Sequence, residues 1–577
     1  MIDVAWLEVQ DSTSFFGAAS HHVAVNLDRV TGARVLWVNQ KAAALDPHFD
    51  RVKRDIERYE AHLLSCCAFT IANERSGAEE FGSEVTTGYA DRYGGSGIGQ
   101  NGGSGRAVVI NGYLVKGVGR TPLVSALTDV AHASGGAYLE ECIRETIYSE
   151  IVSAEFPCSA VPVLAIIDID ELQVFQTPDG PIAERRTLLV RPCFIRPAHF
   201  ERATGYFSGN PKEGMQDTAR VDQFFAQAVA LMGKAQLVEH YKALWMNWSK
   251  QLAYAFVHRL PHGSNTISNV CLDGKLLDFG AMSALPSWAD ARLMEARENF
   301  GAQFNLLAQM IRSTGYYFNR YLATPVVTQD NIAGWVATVQ SQYVQVFIAE
   351  TLRLCGLSRA AAIEVMKAAD FTSLWQAIGQ IIRHFQRERI DMVESTPVVR
   401  LEWDLHKIWD QRPPPHLLAL QTILKPLLGP SELSMATKRC RLISATRSSL
   451  FREEVKRDIF ATVDRERRGE DPSRDRIERY INEQVAQGRR DHRLMLDDVL
   501  PIGFAVGSLC SYVLFQETDT DRIFAIRESY SGRGEAMSPA THDHRLFASD
   551  MSETWIRFED RNQPDFEGAV KLHRELM

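Results

Sequence analysis

The chain has 577 residues, of which 45% are hydrophobic and 23% are charged, and its formal net charge at pH 7 is -9. This length exceeds what one hydrophobic core supports, and the composition excludes disordered and collagen-like proteins. Because the net charge is negative, the chain has no general attraction to nucleic acid or anionic lipid, and we expect neither as a partner.

The N-terminal segment and the cysteines predict a cytoplasmic protein. Residues 1–16 lack the positive and continuous apolar segments of a secretory signal. The nine cysteines show no CxxC pair and no His/Cys ligand spacing, so we expect reduced thiols without a zinc site or a disulfide framework. The longest apolar run, residues 499–515, contains Pro501 and predicts a buried helix or strand pair instead of a membrane span.

The first 90 residues are predicted to form an N-terminal wrap without recognisable chemistry. Strand-like runs occur at residues 22–25 and 35–38, and a helical stretch follows at residues 50–64. The composition then changes abruptly, because seven glycines lie between Gly94 and Gly105. Glycine lets backbone N–H groups approach a phosphate closely, so this segment is either a phosphate-binding loop or a flexible surface loop.

A lysine and a helical glutamate follow the glycine-rich loop. Lys116 ends the apolar run 113–115, as a strand lysine would. The next segment predicts a helix with a buried stripe formed by Leu139, Ile143, Ile147 and Ile151. Glu145 lies on the other, partly apolar face, where a carboxylate needs a cation such as a strand lysine, the pairing that kinases use to position phosphates. The alternative is a solvated carboxylate, which is how we interpret Glu140, Glu141 and Glu150.

Arg191 and Arg196 lie at and just beyond the end of a predicted strand. Arginine forks suit phosphate oxygens, but strand-end arginines are also common on surfaces, so both interpretations stay open. Residues 221–259 then show a helical, aromatic-rich pattern that predicts core packing of a larger helical lobe.

Residues 262–280 predict a β-hairpin that carries a metal site. Asp273-Gly274 between two apolar runs is typical of a two-residue turn. Counting back from that turn places Asn269 opposite Asp278, so an amide oxygen and a carboxylate could share Mg²⁺ or Mn²⁺, with phosphate oxygens and water completing the coordination. The alternative is a structural hairpin with polar ends.

The C-terminal third shows no motif to which we assign chemistry. Residues 291–390 have helical periodicity, and the triple proline at residues 413–415 predicts a linker. Residues 451–460 mix both charges at helical spacing, which is typical of a solvated helix face.

Several segments keep an order typical of one enzyme family. They are YGG (93–95), GSGR (103–106), KGVGRTP (116–122), SGGAYLEECIRE (134–145), the pair Arg191 and Arg196, HGSNTISN (262–269) and Asp278. In this order they resemble the selenoprotein O family of protein-kinase-like adenylyltransferases. RVLWVN (34–39) is similar to an early motif of that family.

The resemblance implies an enzyme that binds ATP with Mg²⁺ or Mn²⁺ and transfers AMP to protein hydroxyl groups. It implies that Lys116 and Glu145 position the phosphates and that Asn269 and Asp278 hold the metal. The nucleotide would be held by Gly103, Gly105, Arg106, Lys116, Ser134, Gly135, Arg191 and Arg196.

The departures from the family within these motifs include three serines. Ser268 stands where the family has its presumed catalytic base, and Ser104 and Ser134 stand where it has aspartates. Loss of a general base slows a hydroxyl acceptor by about 10²- to 10⁴-fold. A carboxylate acceptor has no proton to lose and escapes this cost.

The predicted function is therefore AMP transfer to a protein or peptide acceptor, with a carboxylate as one acceptor class. The alternatives are a nucleotide-binding pseudokinase that acts as a regulatory or scaffold protein, and a small-molecule or protein kinase that transfers the γ-phosphate.

The fold class we expect is α+β. The resemblance implies a protein-kinase-like bilobal fold with a β-rich N-lobe and a helical C-lobe. We divide the chain into an N-terminal wrap (1–90), a nucleotide-binding N-lobe (91–200), a helical C-lobe with the metal-binding hairpin (201–412) and a mainly helical C-terminal extension of unassigned role (416–577).

Overall fold

A computed structural model of the chain shows a mixed α and β fold with an antiparallel sheet, in agreement with the predicted α+β class. It describes residues 22–71, 81–94, 101–128, 133–178, 180–207, 211–293, 300, 303–322, 327–392, 401, 403–443, 450–493, 499–506, 510–517, 523–529 and 544–545.

The strands occur mainly in the N-terminal part and near the C-terminus. They are β1 His22–Val30, β2 Arg34–Val38, β3 Phe69–Thr70, β4 Phe81–Asp91, β5 Ala107–Ile110, β6 Tyr113–Lys116, β7 Ala137–Tyr138, β8 Ala165–Thr177, β9 Gly180–Pro192, β10 Asp290–Arg292, β11 Arg389–Asp391, β12 Val499–Val506, β13 Cys510–Glu517, β14 Ile523–Ser529 and β15 His544–Arg545.

The helices dominate the middle of the chain. They are α1 Gln40–Ala43, α2 Pro47–Arg51, α3 Ile56–Cys67, α4 Leu139–Glu155, α5 Pro211–Met232, α6 Lys234–Val257, α7 Gln303–Tyr321, α8 Gln329–Leu354, α9 Arg359–Ala368, α10 Phe371–Phe385, α11 Pro415–Leu424, α12 Pro430–Ile443, α13 Arg452–Arg467 and α14 Arg474–Arg493. Short 3₁₀ turns span Pro197–Phe200, Leu405–Trp409 and Lys425–Leu427.

The N-terminal strand predictions are confirmed, since residues 22–25 and 35–38 lie within β1 and β2. The predicted helical stretch at residues 50–64 is divided between α2 and α3. The break falls at Lys53 and Arg54, which both have a φ of 57° and cannot continue a right-handed helix. Asp55 then starts α3, because its carboxylate accepts a hydrogen bond from the backbone N–H of Arg58.

The main sheet places Lys116 at its centre. Its strands run in the order β2-β8-β9-β6-β5-β4-β1-β3, with β7 also paired to β9, and all the pairs are antiparallel. Lys116 pairs across the sheet with Ala107 and Leu189. The predicted strand ending at Lys116 is therefore confirmed, as is the strand that carries Arg191.

Helix α4 is buried on both faces. The predicted stripe is confirmed, because Leu139, Ile143, Ile147 and Ile151 are at most 1% exposed. The other face is covered too, and Glu145 is 1% exposed. Helix α4 contacts β9 on one side and α13 and α14 of the C-terminal region on another, so the sheet and the C-terminal helices together fix its position.

The helical prediction for residues 221–259 is confirmed with an interruption at Gly233. This glycine has a φ of 80° and separates α5 from α6. Helices α7 to α10 confirm the helical periodicity of residues 291–390. Within the described part of the chain, each helix is either too short or too polar to cross a bilayer.

The C-terminal third packs against the rest of the molecule. The triple proline leads directly into α11, where Pro415 occupies the first turn and needs no backbone N–H. Leu417 and Leu420 of α11 join the same hydrophobic cluster as Leu405, so this proline run starts a packed helix instead of the predicted linker.

Helix α13 covers the segment predicted to be a solvated helix. One face is polar, but Val455, Ile459 and Val463 are buried, so the prediction holds for that face alone. The run 499–515 contains β12 and β13, which confirms a strand pair. With β14 and β15 they form a second sheet, in addition to the helices α11 to α14 of the C-terminal region.

The eight cysteines whose side chains the structure describes are free thiols, as predicted. Burial raises the pKa of the Cys67 thiol well above its usual value, which keeps it protonated. Its neighbour Cys66 is also unbridged, so the adjacent pair forms no disulfide.

Candidate active site

A cleft of about 550 Å³ lies between the central strands of the main sheet and the hairpin that follows α6. It gathers most of the predicted site residues from distant parts of the chain. Its lining includes Gly103, Gly105, Arg106, Lys116, Arg191, Arg196, Ser268, Asn269 and Asp278. Six basic residues and two acidic residues line it, so the cleft suits an anionic ligand.

Lys116 and Glu145 form the predicted ion pair. The Lys116 ammonium donates to Glu145 Oε2 at 2.8 Å, across the junction between β6 and α4. Arg191, at the end of β9, donates to the other oxygen of Glu145. Both oxygens of a nearly inaccessible carboxylate are thus satisfied by cations, which is the condition for burying that charge.

The electrostatics keep both partners charged. Burial by itself raises the pKa of Glu145, but the charges of Arg191 and Lys116 outweigh it and hold the pKa below its usual value. Burial and the charge of Arg106 lower the pKa of Lys116, whereas Glu141, Glu145 and Asp278 raise it, with a net increase. Lys116 is therefore a cation at neutral pH and is suited to contact phosphate.

Glu141 is a second carboxylate on the same face of α4, and the sequence interpretation of it as solvated is wrong. Its Oε1 lies 2.8 Å from the Lys116 ammonium and 2.7 Å from the Arg106 guanidinium, and its Oε2 accepts from Arg106 at 3.0 Å. Burial raises the pKa of Glu141, but Arg106 and Lys116 outweigh it and hold the pKa well below its usual range.

The other two carboxylates taken as solvated are also buried and bonded. Glu140 accepts from Arg144 at 2.6 Å, and Glu150 accepts from the amide of Asn39 at 2.5 Å. The tertiary packing of α4 on both faces leaves these side chains at most 9% exposed, and each has a polar partner.

The hairpin after α6 exists, but its predicted register is wrong by one residue. Val270 pairs with Leu276, and the backbone N–H of Leu277 donates to the carbonyl of Asn269 at 3.1 Å. The loop therefore has three residues, 272–274, and Asn269 lies opposite Leu277 instead of Asp278.

The turn geometry explains the shift. Gly274 has a φ of 93°, and its N–H donates to the carbonyl of Cys271 at 2.9 Å, as in a three-residue hairpin loop with a left-handed glycine. Two side chains of α6 fix this loop by hydrogen bonds: Asn247 donates to the carbonyl of Asp273, and Gln251 donates to the carbonyl of Gly274. These two residues lie more than 20 positions before the loop in the sequence. The sequence of the hairpin alone therefore does not reveal them.

Asn269 and Asp278 reach the cleft despite the altered register. Asp278 follows the last pair of the hairpin and has a φ of 64°, an unusual conformation for a residue with a side chain. The Asn269 amide nitrogen donates to the carbonyl and hydroxyl of Ser264 at 3.0 and 3.2 Å, so its oxygen stays available. Within the described residues, the Asp278 carboxylate has no hydrogen-bond or ion-pair partner.

This pair of oxygen donors fits a hard divalent cation that arrives with phosphate. Mg²⁺ is usually held by one or two protein oxygens together with phosphate oxygens and water. Among the described residues, no cluster of three or more His, Cys, Asp or Glu side chains could hold a metal by itself. The two oxygen donors therefore suit a cation whose other ligands come from phosphate and water.

His262 supports the hairpin through both of its ring nitrogens. Its Nε2 donates to the carbonyl of Leu277 at 2.9 Å, and its Nδ1 accepts from the N–H of Ser264 at 3.3 Å. Burial lowers the pKa of His262, so the ring is neutral and both nitrogens are engaged. It fixes Ser264, which in turn orients Asn269.

Ser268 is bonded within its own loop. Its hydroxyl lies 2.7 Å from the hydroxyl of Thr266. Its carbonyl accepts from Arg196 at 2.6 Å, so this residue also anchors a cation of the cleft.

Arg196 and Arg191 retain unused buried donors. Both are less than 10% exposed, and the Nε of each has no hydrogen-bond partner in the described part of the chain. The Arg196 guanidinium also lies over the ring of Tyr93, 4.6 Å from its centroid. Buried donors without partners are costly unless a ligand supplies acceptors, which favours an anionic ligand.

The end of the glycine-rich loop approaches other backbone closely. Gly103 has a φ of 147°, and a Cβ there would lie 2.0 Å from the carbonyl oxygen of Asp91. The neighbouring Ser104 hydroxyl is buried without a hydrogen-bond partner among the described residues. Residues 95–100 of the loop lie outside the described residues, so the prediction for that part stays a prediction.

Ser134 and Gly135 are not brought to the cleft lining. The Ser134 hydroxyl accepts from Tyr138 at 3.0 Å. Gly135, with a φ of 76°, packs against the backbone of Gly119 and Arg120. Both residues shape the segment between β6 and α4 in this conformation, without contributing to the cleft surface.

Sequence reasoning missed Glu141 as a cleft residue. A signal for it was present, because residues four apart share a helix face and Glu141 precedes Glu145 by four positions. Comparison with known proteins adds no assignment, since no protein-family model and no curated protein sequence matches the chain.

Proposed function

We propose that the chain is an ATP-dependent adenylyltransferase with a protein-kinase-like bilobal fold, which uses Mg²⁺ or Mn²⁺ and transfers AMP to a protein or peptide acceptor. The observation that carries the proposal is a cleft lined by Lys116, Asn269 and the unengaged carboxylate of Asp278, in which Lys116 is ion-paired with the buried Glu145. Protein kinases position ATP with the same strand-lysine and helix-glutamate pair, and hold metal with an aspartate and an asparagine.

The proposed roles follow from the contacts. Lys116, Arg106 and Arg196 would bind phosphate oxygens, because each is a cation that lines the cleft. Asn269 and Asp278 would hold Mg²⁺ or Mn²⁺, which neutralises phosphate charge when it is bound. In the transfer, an acceptor oxygen bonds to the α-phosphorus, the bond from the α-phosphorus to the bridging oxygen breaks, and pyrophosphate leaves.

The motif order of the selenoprotein O family favours AMP transfer over phosphate transfer. The chemistry around Ser268 favours a carboxylate acceptor. Among the described residues that line the cleft, the carboxylates are Glu141, which two cations engage, and Asp278, which we assign to metal. An acceptor that is already ionised needs no base.

The test uses ATP labelled separately at the α- and γ-phosphates, with Mg²⁺ or Mn²⁺ and candidate acceptors read by intact mass. We expect α-label on the acceptor and released pyrophosphate with the wild type, and loss of both in Asp278→Asn. Asp273→Asn is the matched control, because Asp273 lies on the same hairpin but pairs with Lys275 outside the cleft. Transfer of γ-label would instead identify a kinase.

A nucleotide-binding pseudokinase is the second candidate, and the hydroxyl at Ser268 is the observation that favours it. In that case ATP binds in a metal-dependent manner but neither label moves with any acceptor. Such a protein would act through the conformation of the cleft as a regulatory or scaffold protein.

A further inference from the structure

Glu141 occupies the part of the cleft where the proposed function places phosphate. Its side chain is 17% exposed and lines the cleft, whereas Glu145, one turn further along α4, is 1% exposed and does not. Its two oxygens take three contacts from Arg106 and Lys116, all between 2.7 and 3.0 Å. A carboxylate and a phosphate present similar acceptor oxygens to an arginine fork.

Each of the two cations has a second partner besides Glu141. Lys116 is held by Glu145 at 2.8 Å, and Glu145 is held in turn by Arg191. Arg106 donates to the carbonyl of Gly136 at 2.9 Å. These second partners, Glu145 and Gly136, are not part of the cleft lining, whereas Glu141 is.

We propose that Glu141 is an internal competitor for phosphate, which an anionic ligand must displace from Arg106 and Lys116 before it binds. The proposal rests on the proposed function only in assigning phosphate to these two cations. It makes Glu141 a specificity-determining residue, because a ligand must bring enough negative charge to replace a carboxylate. Weak monoanions then bind poorly, and polyphosphates with metal bind well.

The test compares the wild type with Glu141→Gln, which keeps the size of the side chain and removes its charge. Calorimetry with inorganic tripolyphosphate and with MgATP gives the dissociation constants. Since like charges placed together oppose binding, we expect the variant to bind tripolyphosphate about tenfold more tightly, with a smaller difference at high salt. Glu184→Gln is the matched control, because Glu184 forms a two-point pair with Arg467 away from the cleft.

A second measurement separates competition from a structural role. Glu141→Gln should lower the unfolding temperature of the ligand-free protein, while saturating tripolyphosphate should raise that temperature more than it does in the wild type. If Glu141→Gln is too unstable to study, Glu141→Asp is the second variant. Its shorter side chain keeps the charge but contacts Arg106 and Lys116 less well, so binding and unfolding temperature should change in the same direction by smaller amounts.

Equal or weaker binding by the Glu141 variants would overturn the inference, because it would show that Glu141 orients the cations. The proposed function would survive that result if the wild type still bound MgATP. If no variant and no wild-type protein bound either polyphosphate, both the inference and nucleotide binding would be wrong.

Discussion

Arg196 is a cleft cation that forms no ion pair with a carboxylate in the described part of the chain. Its guanidinium donates to the carbonyl of Ser268 and stacks on Tyr93, which leaves donors for a ligand. Hydrogen bonds to charged groups contribute about 1.5–3 kcal/mol each. We expect Arg196→Lys to raise the dissociation constant for MgATP by about tenfold or more, because lysine lacks the planar fork and the stacking surface.

Calorimetric titration of MgATP checks this expectation. Arg467→Lys is the control, since Arg467 pairs with Glu184 and stacks on Phe460 away from the cleft. An unchanged dissociation constant in Arg196→Lys would remove this residue from the proposed nucleotide site.

Glu145 links the stability of the protein to pH. Its pKa in the folded state lies below the unfolded value of 4.5, so its contribution is complete above about pH 4.5 and is lost as the pH falls through the folded pKa. Urea unfolding should therefore show the free energy of unfolding falling less steeply below pH 4.5 in Glu145→Gln than in the wild type.

At neutral pH the same variant should be less stable by about 3–5 kcal/mol, because Arg191 and Lys116 lose their common partner. If the free energy of unfolding depended on pH in the same way in both proteins, the carboxylate of Glu145 would not be stabilised by these cations.

The loop of the hairpin depends on one glycine. Gly274 has a φ of 93°, and a Cβ there would lie 2.7 Å from Cβ of Asn247. Gly274→Ala should therefore lower the free energy of unfolding by more than about 1 kcal/mol. Gly334→Ala should act in the opposite direction by about 0.5–1 kcal/mol, because Gly334 lies in helix α8 with open space around it. Equal effects in chemical denaturation would contradict the turn geometry.

Helix α4 connects the sheet to the C-terminal helices through its apolar stripe. Ile147 is 1% exposed, so Ile147→Ala should cost about 2–5 kcal/mol in urea unfolding. Ile363, on helix α9, is 47% exposed, and its replacement by alanine should change stability by less than about 0.5 kcal/mol. A small effect at Ile147 would mean that α4 packs loosely.

At the scale of the whole molecule, the cleft draws on segments from Tyr93 to Arg452. A ligand there contacts the sheet and the helical part together, so its binding should stabilise the complete fold. At 100 times its dissociation constant, MgATP should add about 2.7 kcal/mol to the free energy of unfolding. We expect this gain in thermal unfolding with Mg²⁺ present, and its loss in Asp278→Asn but not in Asp273→Asn.

The local patterns of the sequence determined much of the secondary structure. The spacing of apolar residues predicted α4, the strand that ends at Lys116 and the strand that carries Arg191, because side-chain periodicity is a property of neighbouring residues. The Asp273-Gly274 pair predicted a hairpin, and the pairing of Lys116 with Glu145 was expected from their residue types and order.

Only the tertiary structure decided the register of the hairpin, the environment of Glu141 and the lining of the cleft, because each depends on groups far apart in the chain. Asn247 and Gln251 of α6 hold the hairpin turn and shift its register by one residue. Arg106 makes Glu141 an ion-pair partner in the cleft instead of a solvated side chain. Ser134 and Gly135, although they belong to the motif order, are not part of the cleft lining. Sequence periodicity specifies elements, whereas buried charges and turn registers are set by the partners that folding brings together.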